Sequence, residues 1–206
     1  AAVMLEPIQS MAGVREADPR FFKDLRELCD ELGIVLIFDE IQTGVGRTGE
    51  WFFAGSEAAG GTVPDIVTLA KSLGSGVPVG ACLVGTCVSG HIKENDLGTT
   101  FGGGMLAMAA VLATLTSIEA DGMLANAIAV ESRVRDGLRS SNTIKQIKGR
   151  GCLLGIEFNE KCAPVHSRLL EQKIITGTSS DPLVLRLLPP LNTKLEEIDL
   201  LIEALN

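Results

Sequence analysis

Apolar and polar positions along the chain predict its elements in order. Ala2–Leu5 opens as a short strand, and the polar stretch "QSMAGVREADPR" after it reads as loop. Asp18 can accept from the first free N–H groups of a helix, and Pro19 suits the first helical position, where no N–H is needed. Phe22, Leu25, Leu28, Cys29 and Leu32 then recur at helical spacing. Gly33 closes that helix, because glycine takes the left-handed conformation at little cost. "IVLIFDE", Ile34–Glu40, is a continuous apolar run ending on two acids, the pattern of a strand buried on both faces of a parallel sheet. The glycine-rich "QTGVGRTGEW" is loop. "DIVTLAK" supplies the next strand, Ile66–Ala70, ending on Lys71, and "VGACLVG", Val79–Gly85, supplies another. Strands separated by helical segments predict βαβ organisation with a mostly parallel sheet.

The texture then changes. "GTTFGGG", Gly98–Gly104, precedes Met105–Ala120, a helix apolar almost all round and therefore expected to be buried. A more polar helix, Met123–Arg139, leads into two strand-like runs around Gly149 and Gly151, a hairpin or adjacent strands. A short helix spans Pro164–Gln172. "LVLRLLPPL" is a strand stopped by Pro189 and Pro190, which have no N–H to give a ladder. Thr193 and Glu196 have the spacing of a capping box and open the last helix, to about Leu205. The expected organisation is the later part of an α/β large domain over residues 1–121 and a small α+β domain over residues 122–206.

Composition narrows the function. The 206 residues carry a formal net charge of −8, the reverse of the clustered basic charge that nucleic acid requires. Hydrophobic residues at 46% and charged residues at 21% are a globular balance. No apolar run approaches the ~18 residues of a membrane span. No basic segment leads into an apolar one at the start, so no signal peptide is expected. Cys29, Cys82, Cys87, Cys152 and Cys162 are odd in number and scattered, which reads as buried, reduced thiols of a cytoplasmic protein. The chain begins directly in a strand without Met, the expectation for a piece of a longer protein.

Chemistry can sit at the strand ends. In open α/β sheets, ligands gather outside the carboxyl ends of the strands. Glu6, the Asp39–Glu40 pair and Lys71 all lie at predicted strand ends. A lysine in a partly dry pocket becomes nucleophilic and forms an imine with a carbonyl. A carboxylate across from it can hold a protonated pyridine nitrogen, and pyridoxal 5'-phosphate needs that pair. "GTTFGGG" offers backbone N–H groups and hydroxyls as a phosphate cradle. His91 and His166 have no partners at metal-ligand spacing, no G-x-S-x-G frames a serine, and "GSGVPVG" lacks the ending of a P-loop.

"LIFDEIQTGVGRTG", "PDIVTLAKSLGSGVPVGA", "GTTFGGG" and "LRLLPPL" occur in that order, and together they resemble the class III, acetylornithine/ornithine-type, pyridoxal-phosphate-dependent aminotransferases over essentially the whole chain. The resemblance implies fold type I. It implies that Lys71 forms the imine with the cofactor and moves a proton, and that Asp39 pairs with the ring nitrogen. Ile41 would pack on a ring face and Gln42 would lie near the ring hydroxyl. Thr100 would reach the cofactor phosphate of a neighbouring subunit, so that a homodimer shares its active sites. Thr99 would contact substrate, and Arg186 would clamp a substrate carboxylate. Glu40 reads as structural, pairing with Arg47. The implied reaction moves an amino group from an acetylornithine-like or other ω-amino donor to a 2-oxo acid, 2-oxoglutarate.

Two positions depart from the family pattern. Gln9-Ser10-Met11 stands where many members have "QGE", whose Glu pairs with the clamping arginine, and this opens the choice of substrate. "GGGM" at Gly102–Met105 stands where "GGNP" is common. The family's earlier part carries a further phosphate loop, a ring-stacking residue and a second arginine. None has a counterpart here, so this piece alone is expected to be inactive. Three other readings remain: an aminomutase of the glutamate-1-semialdehyde type, a lysine-imine lyase without the cofactor, and a non-catalytic dimerisation fragment.

Overall fold

In the computed structural model, which describes residues 1–206, the elements in chain order are β1 (Ala2–Leu5), β2 (Ile8–Gln9), β3 (Arg15–Glu16), α1 (Pro19–Leu32), β4 (Val35–Asp39), β5 (Ile66–Leu69), β6 (Ala81–Val84), α2 (Thr86–Ser89), α3 (Met105–Ala120), α4 (Met123–Leu138), β7 (Ile144–Arg150), β8 (Leu153–Phe158), α5 (Ala163–Glu171), β9 (Gly177–Thr178), β10 (Val184–Leu187) and α6 (Leu195–Leu205). They form two units. The first is Ala1–Pro7, Ala17–Val45 and Phe52–Ala120; the second is Ile8–Glu16, Gly46–Trp51 and Asp121–Asn206. The stretch that reads as loop after β1 thus contains a small ladder, β2 against β3, and it lies in the second unit.

The first unit is a four-stranded sheet in the order β1-β4-β5-β6. β1 pairs with β4 and β4 with β5 in parallel, and β6 returns antiparallel to β5. Helix α1 begins where the pattern places it: Asp18 Oδ1 accepts from Arg20 N at 2.8 Å, and Gly33 closes the helix at φ 61°. Its buried Phe22 meets Phe38 and Phe53 edge-on, with centroids 5.6 and 5.5 Å apart. Such pairs add ~1 kcal/mol each beyond their area burial. Asp65 ties the layers together, accepting from Arg26 Nη1 of α1 at 2.9 Å and from Leu36 N of β4 at 2.7 Å.

Three expectations change in this unit. β4 is fully buried on one face, at Leu36 and Phe38, and only half-buried on the other, at Val35, Ile37 and Asp39. Helix α3 is largely exposed rather than buried: Ile118 is its one buried residue, while Met105, Leu106 and Leu112 are 91%, 78% and 68% exposed. A uniformly apolar helix requires cover on every side, and this chain supplies it only around Ile118. Cys29, Cys152 and Cys162 are buried as expected, but Cys82, on edge strand β6, and Cys87, in α2, are exposed.

The second unit is built on the antiparallel sheet β7-β8-β10-β9. The runs around Gly149 and Gly151 are a hairpin, β7 with β8, in which Arg150 lies opposite Leu153. β8 is central and buried at all of its six positions, so no alternation survives. Helix α4 turns Ala127, Val130, Val134 and Leu138 inward at helical spacing, and α6 buries Ile198, Leu201 and Leu205. Arg135 fastens α4 to β7 by donating to the carbonyls of Ile147 and Gly149, both at 2.7 Å. The α6 cap lies one residue later than the spacing suggests: Glu197 Oε2 accepts from Lys194 N at 2.9 Å, and Thr193 is buried just before it.

Candidate active site

Two neighbouring acids at the end of β4 do different work. The burial of β4 alternates, with Leu36, Phe38 and Glu40 on the enclosed side and Ile37 and Asp39 on the other. Glu40 is 1% exposed. Its Oε2 accepts from Phe53 N at 2.7 Å and Thr43 Oγ1 at 3.1 Å, and its Oε1 accepts from Ala54 N at 2.8 Å. Burial raises its proton affinity above the ordinary carboxylate value, and the donors of Ala54, Phe53 and Thr43 oppose that shift. Glu40 is therefore structural, as its sequence position suggests, but its partners are the loop N–H groups and not Arg47. The Arg47 guanidinium donates instead to the carbonyls of Cys152 and Pro189.

Asp39 is half-buried. Its Oδ1 accepts from Ile41 N at 3.0 Å and from Thr68 Oγ1 at 3.3 Å, and its Oδ2 has no donor in the chain. Thr68 is the register partner of Asp39 on the parallel strand β5. Sequence reasoning overlooked this threonine, although it is the polar residue inside an otherwise apolar strand. Ile41 and Gln42 follow at once in the turn after β4, both half-buried.

β5 ends at Leu69, and Lys71 starts a single 3-10 turn, Lys71–Gly74. Its backbone stands at φ 46°, the left-handed region that a side chain rarely takes without strain. The side chain is exposed, and its ammonium makes no hydrogen bond or ion pair with the chain. The small residues that follow have a steric reason. A Cβ on Gly74 would stand 2.6 Å from Val79 Cγ1, so the loop can fold back only without one.

Thr99 and Thr100 lie on an exposed turn ahead of α3. A Cβ on Gly102 would stand 2.0 Å from Thr99 Cγ2, so a larger residue there would require the Thr99 side chain to turn away. Neither hydroxyl bonds to another group of the chain. Both threonines are on the first unit, in the segment that leads into α3.

Arg186 sits in the second unit, mid-strand on β10, between Gly155 of β8 and Gly177 of β9. Its Nε donates to Thr178 O at 2.7 Å, and its Nη1 donates to Ser10 Oγ at 3.0 Å. No carboxylate pairs with it. Ser10 is fully buried, and Met11 beside it is 52% exposed. No sequence signal links Ser10 to Arg186 across 176 positions.

The strand-end residues fit pyridoxal phosphate. Asp39 offers a half-buried carboxylate with one oxygen free, suited to a protonated ring nitrogen. Lys71 offers an unengaged amine beyond the end of the adjacent parallel strand, suited to imine formation. Their strands are neighbours in register, so both groups lie at one edge of one sheet. No group of three or more His, Cys, Asp or Glu is arranged to hold a metal ion. His166 engages Thr176 Oγ1 through Nδ1 at 2.9 Å.

Known proteins match this chain in sequence and in fold. Acetylornithine aminotransferase 1 of Bordetella bronchiseptica is 40% identical over 208 residues, covering 99% of this chain and 52% of that protein. Acetylornithine aminotransferase of Methanocaldococcus jannaschii is 40% identical over 210 residues, covering 100% of this chain and 52% of that protein. The crystal structure of N-acetylornithine aminotransferase from Stenotrophomonas maltophilia superposes with a TM-score of 0.86 at 36% identity, covering 100% of this chain and 55% of that one. An ornithine aminotransferase from Toxoplasma gondii, with pyridoxal phosphate at partial occupancy in its active site, superposes with a TM-score of 0.87 at 32% identity, covering 100% and 50%. The chain thus spans about half the length of the curated relatives it matches. Its fold is that of the fold type I, pyridoxal-phosphate-dependent aminotransferases. Residues 1–206 match the family described as aminotransferase class-III, and the chain belongs to that family.

Proposed function

We propose that the protein carrying this chain is a pyridoxal-phosphate-dependent aminotransferase, moving an amino group from an acetylornithine-like or other ω-amino donor to 2-oxoglutarate. The observation that supports it most is the pairing of a free Asp39 Oδ2 with an unengaged Lys71 amine, at the ends of adjacent parallel strands. When bound, the cofactor supplies an electron sink for the carbanion that transamination requires. Asp39 would hold the ring nitrogen protonated through an ion pair. Ile41 N and Thr68 Oγ1 fix the other carboxylate oxygen, so the aspartate is oriented before anything binds. Lys71 would anchor the cofactor through Nζ and would carry the transferred proton on the same atom.

Ile41 would pack on a ring face, Gln42 would lie near the ring hydroxyl, Thr99 would touch substrate and Thr100 would reach the phosphate bound to a second copy, in a cytoplasmic homodimer that shares its active sites. Arg186 holds a substrate carboxylate by its planar fork, which suits two-point contact better than an ammonium does. An aminomutase is the second reading, favoured by Met11, which cannot counter Arg186 as an acid does; it would need no external 2-oxo acid.

Lys71→Ala tests the proposal in the protein loaded with pyridoxal phosphate. The visible absorbance of lysine-bound cofactor should disappear, and transamination should fall by more than about 10³-fold. If both persist, the assignment is wrong.

A further inference from the structure

Arg186 is held by two groups that carry no charge. Nε donates to Thr178 O at 2.7 Å and Nη1 donates to Ser10 Oγ at 3.0 Å. A guanidinium has five N–H bonds, so these contacts leave three free, enough for a two-point carboxylate contact. Ser10 is itself fixed. It is fully buried, and its carbonyl accepts from Gly13 N at 3.3 Å and Val14 N at 3.1 Å. The next residue is pinned as well, since Met11 O accepts from Ser180 N at 2.8 Å and from Ser180 Oγ at 2.9 Å. The hydroxyl that meets Arg186 thus projects from a rigid backbone segment. Three acids of this unit are engaged elsewhere: Asp181 faces Arg15, Glu16 faces Arg150 and Glu157 faces Lys145 and Lys148.

We propose that Ser10 is a positioning residue for Arg186: its hydroxyl and the Thr178 carbonyl set the plane of the guanidinium without neutralising it. The arginine therefore keeps its full charge for a carboxylate of whichever substrate is bound. A neutral hydroxyl orients the fork and offers an incoming carboxylate no competitor. An acid at the same place would have to be displaced each time. The consequence is a preference for reactants that bring a carboxylate to Arg186 in both halves of the reaction, as dicarboxylic oxo acids and carboxylate-bearing ω-amino donors do. This inference rests on the reading of Arg186 as a carboxylate clamp.

The test uses the loaded protein and glutarate, a dicarboxylate without a reacting group, titrated by calorimetry alongside steady-state kinetics with 2-oxoglutarate. Arg186→Gln should weaken glutarate by more than about 30-fold, because a charged two-point contact is lost. Ser10→Ala should weaken glutarate by about 5- to 10-fold and raise KM for 2-oxoglutarate by a similar factor, with kcat held within about twofold. If Arg186→Gln leaves glutarate binding unchanged, the clamp reading fails. If Arg186→Gln weakens it and Ser10→Ala does not, the clamp stands and the positioning role is overturned. A fall in kcat and unfolding midpoint in Ser10→Ala, at unchanged glutarate affinity, overturns it too, since the serine is then purely structural.

Discussion

In the second unit, Glu157 is 5% exposed on central strand β8 and accepts from Lys145 at 2.8 Å, Gln146 at 2.7 Å and Lys148 at 2.6 Å. In the first unit, Lys71 has no partner and sits on a left-handed backbone, and one oxygen of Asp39 is free. The same contrast runs through the helices. α4 places four residues in a core of its own, whereas α3, of equal length, buries only Ile118. A folded chain normally satisfies its polar groups and covers its apolar ones, because leaving either undone costs free energy. The second unit does so at Glu157 and along α4. The first keeps a free amine, a free carboxylate oxygen and a bare apolar helix, and those are the places where something else can bind.

The sharpest way to break this contrast is within β4 itself, where a closed acid and an open one are adjacent. Glu40→Ala strands the buried N–H groups of Phe53 and Ala54 and should cost about 3 kcal/mol in urea unfolding. Asp39→Asn keeps an oxygen for Ile41 N and Thr68 Oγ1, so it should cost less than about 1 kcal/mol. The same change should weaken retention of pyridoxal phosphate by more than about tenfold, because the ring nitrogen loses its counter-charge. Equal stability losses in the two variants would erase the distinction between them.

The helices give a smaller effect. Val134 is fully buried in α4, and Val134→Ala should cost about 2 kcal/mol through lost methyl groups and the void they leave. Leu112 of α3 is 68% exposed, and Leu112→Ala should change the unfolding free energy of this chain by less than about 0.5 kcal/mol. A large loss at Leu112 would mean that α3 is covered in solution.

How much of this was legible in the sequence follows the range of the forces involved. Local signals read well: Asp18, Pro19 and Gly33 bound α1, and apolar runs place β4 and β5, with Asp39 and Lys71 at their ends. Periodicity reports which side of a helix is apolar and not whether anything covers it, so α3 reads as buried when it is not. Thr193 with Glu196 and Lys194 with Glu197 have identical spacing, and only folding selects the second pair. Glu40 and Arg47 have opposite charges and lie close in sequence, yet the loop N–H groups of residues 53 and 54 need the carboxylate more. Arg186 and Ser10 meet through β10 and the start of the β2–β3 segment, a register no local pattern encodes.

The finest test of the contrast is the pH dependence of stability, because the two buried acids shift in opposite directions. Lys145 and Lys148 pull the Glu157 carboxyl down to about 2. Its unfolded value is about 4.3, so between those values the unfolded chain binds more protons and stability rises with pH. The contribution of Glu157 is therefore complete above about pH 4.3 and drains away as pH falls toward 2. Burial moves Glu40 upward, so there the folded chain binds more protons and stability falls as pH rises above about 4.3. Glu157→Gln should flatten the acid limb of a plot of unfolding midpoint against pH and lower the curve above about pH 4.3, where the ion pairs contribute in full. Glu40→Gln should lower the whole curve by removing an acceptor, and it should flatten the slope only on the side above pH ~4.3. The Glu157 ion pairs lie partly at the surface, with Lys145 58% exposed, so added salt should weaken the acid limb. Glu40 has no cation among its partners, and its limb should be insensitive to salt. If salt moves both limbs alike, the two acids are held by the same kind of force and the contrast between the units does not extend to their buried carboxylates.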